Sequence, residues 1–237
     1  MIAVKALYLM SILAGGCTLL GSMALFAKRK WSNSSLGLFL GLAAGVMIAV
    51  VCMDMLPSAL LVNAIEAGLG FVVGLLVLAL LHIMLLSRQA ENEGLLRLGY
   101  LIMLGIALHD LPEGMAIALG SEMKVRTGMV IALAIGIHNI PEGMAIAAPL
   151  LMGGMKRLKI FLRVFLVSLI TPLGTLTGQG LVKIVPEVLA FLLGLASGVM
   201  VFLVLFYLWP QAGSKDKKSR VQGFLLGLLI IAAATFL

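Results

Sequence analysis

The sequence predicts an all-α membrane protein of eight transmembrane helices, and three observations lead there. Of the 237 residues, 62% are hydrophobic and only 11% charged, with a mean hydropathy of +1.18. A soluble domain carries about 25% charged residues. The apolar residues also fall into eight runs, each long enough to cross a ~30 Å hydrocarbon core as a helix. The stretches between them are short, so 1–237 reads as one polytopic domain with no room for a soluble module.

Taken in order, the runs lie near 5–27, 36–62, 68–87, 99–120, 127–152, 160–182, 188–210 and 221–237, the last being the shortest. Ala14-Gly15-Gly16-Cys17 faintly resembles a lipoprotein cleavage site. However, Lys5 is the only basic residue before it and the apolar run continues to Ala27, so a retained first helix is expected. Lys28, Arg29 and Lys30 close that helix, Arg88 and Arg97 flank the third loop, and Lys156, Arg157, Lys159 and Arg163 follow the fifth helix. Lys215, Lys217, Lys218 and Arg220 mark the seventh loop. The opposite side holds only Lys5, Lys124, Arg126 and Lys183, which leaves 13 of the 17 basic residues on the odd-loop side. Positive loops stay cytoplasmic, so both termini are expected outside the cytoplasm. The net charge of +7 therefore reports topology, and its scattering between apolar runs points to a lipid bilayer as partner, not nucleic acid. Cys17 and Cys52 sit in apolar segments without CxxC spacing, so no disulfide framework is expected.

A repeat runs through the outer six helices. At an offset of 153 residues, Gly41, Gly45, Met47 and Pro57 match Gly194, Gly198, Met200 and Pro210. The same offset pairs Thr18 and Gly21 with Thr171 and Gly174, and Gly70, Phe71 and Gly74 with Gly223, Phe224 and Gly227. Helices one to three thus repeat as six to eight. A shift of five spans inverts their direction, which gives a 3+2+3 inverted repeat around helices four and five. Such repeats are characteristic of secondary transporters, with the substrate site near the midplane.

The central helices carry one phrase twice. His109-Asp110-Leu111-Pro112-Glu113-Gly114 recurs 29 residues later as His138-Asn139-Ile140-Pro141-Glu142-Gly143. Ionisable groups within a membrane helix cost roughly 2.5–3.5 kcal/mol each on insertion scales, so they mark ion or substrate paths. On a helix His109 and Glu113 share one face about 6 Å apart along the axis, as do His138 and Glu142. With Asp110 and Asn139 added, facing helices bring together two imidazoles, three carboxylates and an amide. That mixture suits first-row divalent metals, whereas calcium prefers all-oxygen shells. Binding to the histidines displaces protons, so metal affinity is expected to fall in acid. Pro112 and Pro141 leave the carbonyls of Leu108 and Ile137 without their usual donors, and a kink is expected at each. Gly114 and Gly143 permit close helix approach.

These two phrases resemble the fourth- and fifth-helix signatures of the ZIP (Zrt-, Irt-like) family of metal-ion transporters, and the resemblance extends over essentially the whole chain. It implies transport of a divalent cation (zinc, iron or manganese) toward the cytoplasm, with no separate cofactor and often as a homodimer. It also implies that His109, Asp110, Glu113, His138, Asn139 and Glu142 form the site, with Met47 of the second helix near it. Many bacterial relatives carry Glu-Pro-Leu-Gly in helix six, whose carboxylate helps to bridge two metals. This chain has Thr171-Pro172-Leu173-Gly174, so the bridge is missing. Helix seven has Phe206, Tyr207, Trp209 and Gln211 where relatives often place carboxylates, while helix two keeps Asp54. The loop after helix three, often rich in histidine in relatives, contains none here.

Asp54, three residues before Pro57, is expected near the outer end of helix two as a metal-recruiting carboxylate or a solvated helix end. His82 is expected near the cytoplasmic end of helix three, as an interfacial residue or an exit ligand. Met115 and Met144 are expected to fill helix interfaces. Ser168, Thr171 and Gln179 are candidates for bonds between helices or for the path. The leading function is divalent-metal transport by alternating access in the cell's inner membrane. Two rivals remain: a membrane-embedded metallohydrolase, which lacks His-Glu-x-x-His spacing, and a non-transporting metal sensor.

Overall fold

The structure is a computed structural model that describes residues 2–28, 31–86, 94–184 and 186–236. Eight of its helices are long and apolar enough to span a membrane, and no strand occurs among the described residues. We number the spans α1 to α8. α1 is Ile2–Ala24, extended by a 3-10 turn, Leu25–Ala27; α2 is Asn33–Val50, a π-turn at Val51–Met55, then Leu56–Val62. α3 is Ala64–Leu86, α4 Gly94–Met123 and α5 Val125–Met152. α6 joins Arg157–Ser168 to Ile170–Ile184. α7 is Pro186–Leu203, a π-turn at Val204–Leu208, then Trp209–Lys215, and α8 is Lys217–Phe236. The basic positions Arg29, Lys30 and Arg88 lie outside the described residues, as does most of the third loop.

Several helices run further than their apolar stretches, because three connections are single extended residues. Asn63 (φ −158°, ψ 107°), Lys124 (φ −157°, ψ 138°) and Asp216 (φ −160°, ψ 114°) each separate two helices. Two of them cap the helix that follows. The Asn63 side chain accepts from the amides of Ile65 and Glu66, and that of Asp216 accepts from Ser219. The amide of Ser219 also holds the half-buried Asp216 carboxyl below the usual carboxylate range. A polar residue placed so as to satisfy the orphan amides of the next helix makes a longer loop unnecessary.

Prolines act on the helices in two ways. α4 runs on through Pro112, and α5 through Pro141 and Pro149, without a break in either helix. The interruptions fall instead in α2, α6 and α7. The amide of Leu56 reaches back to the carbonyl of Val51, and that of Trp209 to Val204, one residue beyond the α-helical partner. Each π-turn ends two residues before a proline, Pro57 or Pro210, whose ring crowds the carbonyl four residues back, inside the turn; the wider turn relieves that crowding. In α6 the break at Leu169 precedes Pro172.

Packing divides the spans into two groups. α1 lies against α5, and α4 against both α5 and α6; α2 lies against α8, and α3 against α7. The groups meet where α4 touches α7 and α2 touches α5. The 153-residue offset recurs in these contacts. Gly41 and Gly45 of α2 abut the backbone carbonyls of Arg220 and Phe224, while Gly194 and Gly198 of α7 abut those of Ala67 and Phe71. Backbones at this distance exclude any Cβ, and membrane helices gain close packing from such small residues.

Candidate metal centre

The paired phrases face each other across the α4–α5 seam, and their pairing is crosswise. The His109 Nε2 lies 3.1 Å from Glu142 Oε2, while His138 Nε2 lies 3.1 and 3.2 Å from the two oxygens of Glu113. Each imidazole therefore meets the carboxylate of the opposite helix, not the one a turn away on its own. The His109 Nδ1 donates to the carbonyl of Gly105 at 3.1 Å. This bond fixes the ring so that Nε2 points at Glu142 and at Asp110 Oδ1, 3.5 Å away. A backbone acceptor behind the distal nitrogen is the usual way to orient a ligating histidine.

All six predicted residues are buried, at 3% exposure or less. Asn139 donates from Nδ2 to the carbonyl of Ala14 on α1 at 3.0 Å, which ties down the amide and leaves Oδ1 without a partner. Both oxygens of Asp110, Oε1 of Glu142 and the hydroxyls of Thr18 and Thr171 also lack hydrogen bonds. Buried polar atoms are satisfied in the great majority of cases, so so many orphans around one seam call for a polar guest. His109, Asp110 and Glu113 each present one ligand atom within 4.8 Å of the others.

Neighbouring helices approach closely because of the two glycines. A Cβ on Gly143 would strike the Thr18 carbonyl of α1, and one on Gly114 the Thr171 carbonyl of α6. The Thr175 hydroxyl donates to the carbonyl of Gly114 at 3.0 Å, adding a bond across the α4–α6 contact. Met115 and Met144 are buried in the core, as expected of interface fillers.

A cavity of about 270 Å³ leads to the seam from the helix ends at Val62 and Met123. Its walls include Asp54, Ser58, Thr127, Glu113 and His138. Asp54 sits in the π-turn of α2 and so shares the cavity with the site, although it is not part of the His–Glu cluster. Met47 is fully buried on α2, as is its repeat partner Met200 on α7. His82 pairs with the hydroxyl of Tyr207, the residue of α7 that corresponds to Asp54 at the 153-residue offset. Gln179 accepts from Tyr8 at 2.8 Å, joining α6 to α1, and Ser168 donates to its own helix at Phe165. Cys17 and Cys52 are free.

Residues 87–235 match the family model described as ZIP zinc transporter. The chain is also 34% identical over 262 residues to the zinc transporter ZupT of Chlorobium luteolum, covering 98% of each sequence. This protein belongs to the ZIP family. ZIP relatives in Streptococcus mutans (30% identity, 97% of this chain and 96% of the relative) and Escherichia fergusonii (33%, 94% and 93%) carry the same description, zinc transporter ZupT. Membership of a transporter family sets the hydrolase reading aside. Thr18, Thr175 and Tyr8 of this ZIP protein bond or pack between the helices of the metal-carrying group without belonging to the metal phrase. The signal for Thr18 was present in the sequence, since it is the repeat partner of Thr171, while Thr175 and Tyr8 gain meaning only from neighbours on other helices.

Proposed function

We propose that the protein carries divalent metal cations, zinc foremost and iron(II) or manganese(II) as further substrates, across the inner membrane into the cytoplasm. The observation that carries the reading is the crosswise His–Glu pairing in a buried seam lined by orphaned oxygens. A cation entering the seam takes the Nε2 lone pairs of His109 and His138, the carboxylates of Asp110, Glu113 and Glu142, and Oδ1 of Asn139. Each His–Glu pair releases its shared proton as metal–ligand bonds replace the hydrogen bond, so the burial of these groups is compensated in both states. Asp54, on the cavity wall, supplies the first carboxylate that the cation meets, and Met47 stands by as a soft neighbour. With Thr171 in α6, a single metal occupies the seam.

The excess of basic residues on the odd loops supports both termini outside, and in that orientation the cavity past Asp54 opens on the outer side, where uptake begins. The division into two helix groups supports alternating access, one group moving against the other across the α4–α7 and α2–α5 contacts. The test is zinc flux into proteoliposomes, with iron, manganese and cadmium as competitors and zinc binding measured in parallel. Saturable zinc flux that is lost in Glu113→Ala and in Glu142→Ala is the expected result. Binding without flux would make the protein a sensor, and flux retained in both variants would remove the site.

A further inference from the structure

On the membrane-facing side of the metal-carrying group, a groove of about 640 Å³ runs between α1 and α5. Its deep end is at Ile140, beside the metal phrase, and its mouth is at Arg126. At 1.5 Å per residue those positions are about 20 Å apart along α5. Half of a ~30 Å hydrocarbon core is about 15 Å, so the groove covers one leaflet from interface to midplane. Its volume divided by that length gives a mean cross-section of about 30 Å², well under half that of a helix of ~10 Å diameter. A single hydrocarbon chain matches this width, whereas the helix of a second copy would overhang it.

The walls are apolar except for Arg126, which makes no hydrogen bond or ion pair with any protein group among the described residues. Lys124 lies in the adjoining break between α4 and α5. Lys5, nine residues before Ala14 as Arg126 is ten before Gly136, reaches the same level on α1. Three of the four basic residues at this end of the molecule thus stand at the mouth of the groove, against one acidic residue of the same junction, Glu122.

The repeat provides an internal comparison. The groove is hollowed by Ala14, Cys17, Ala132 and Gly136. Their counterparts on α6 and α4 are Val167, Ile170, Met103 and Ala107, each larger. One seam of an otherwise matched pair has been emptied, and that same seam has the unpartnered arginine at its membrane surface.

We propose that this groove binds one anionic phospholipid, its phosphate on Arg126 with Lys5 and Lys124, and one acyl chain lying along Gly136 to Ile140. The chain would lie on the back of the helix that presents His138, Asn139 and Glu142. It would also touch Ala14, whose carbonyl holds the Asn139 amide. The lipid therefore buttresses α1 against α5 where the metal ligands are mounted.

The test titrates delipidated full-length protein in a neutral detergent with phosphatidylglycerol, and in parallel with phosphatidylcholine of the same chains. Bound lipid is counted by native mass spectrometry. Expected is one retained phosphatidylglycerol per chain in preference to phosphatidylcholine. In Arg126→Gln the retention falls about fivefold, the usual weight of one basic residue near an anionic surface. Gly136→Leu, which fills the groove, lowers retention of both lipids. Arg126 is exposed, so its substitution leaves folding intact even if Gly136→Leu does not fold. Equal retention of the two lipids, or retention unchanged by Arg126→Gln, means annular lipid only and overturns the proposal. So does a dimer whose cross-links run through Leu133. The readout is lipid and not metal, so it fails or succeeds independently of the transport reading.

Discussion

His109 has both ring nitrogens committed, Nδ1 to the Gly105 carbonyl and Nε2 to the seam, whereas Asp110 beside it has no hydrogen bond at all. That contrast separates stability from binding. An unsatisfied buried group costs about 1–3 kcal/mol, and more when charged. Asp110→Asn is therefore expected to raise the thermal stability of the metal-free protein while weakening zinc binding at least about tenfold, the scale on which lost ligand-shell contacts are felt. Thermal unfolding in detergent and zinc titration read the two effects; a variant both less stable and fully competent to bind would contradict the assignment. Asn139→Ala should behave oppositely in stability. It removes the bond from the Asn139 amide to the Ala14 carbonyl, which ties α5 to α1, at a cost of about 0.5–1.5 kcal/mol in the same assay.

At the scale of elements, the π-turn in α2 decides where Asp54 points. One extra residue in a turn rotates everything beyond it by about 100° relative to a regular helix. Pro57→Ala removes the steric reason for the wide turn. The expected outcome is an α-helical register that carries Asp54 off the cavity wall, seen as a several-fold rise in the KM for zinc uptake with a smaller change in the maximal rate. An unchanged KM would show that the π-turn is held by packing alone. The close contacts of Gly143 give a second prediction. Gly143→Ala drives a methyl into the Thr18 carbonyl, and overpacking of this kind costs about 1–3 kcal/mol. The caps give a smaller one, since Asn63→Ala removes the acceptor for two amides of α3 and should cost about 1 kcal/mol.

For the whole molecule the question is whether the two helix groups move against each other. Gly105 of α4 sits against the Leu203 side chain of α7, across the line where the groups meet. In a background without Cys17 and Cys52, cysteines at 105 and 203 joined by a short reducible linker should stop zinc flux, and reduction should restore it. Flux that persists through a complete cross-link would exclude relative motion at this contact. Leu203→Cys makes room for the added side chain at 105, so the unlinked protein serves as its own control.

Much of this was legible in the chain itself. The eight spans, the doubled His-x-x-Pro-Glu phrase and the 153-residue offset are properties of composition and spacing, and a bilayer punishes stray polar groups severely enough that spacing alone is informative. The sequence likewise determined that His109, Glu113, His138 and Glu142 lie inside the membrane. It did not determine which histidine meets which carboxylate. That crosswise choice depends on how α4 and α5 are rotated about their axes, which is set by contacts with α1 and α6 through Thr18 and Thr171. The prolines show the same division. A missing amide is visible in the sequence, but whether the helix runs on, as at Pro112, or widens, as before Pro57, depends on what its neighbours can accommodate. Only the assembled helices decided that, because a helix's local rules fix which residues share its face and leave open what that face will touch.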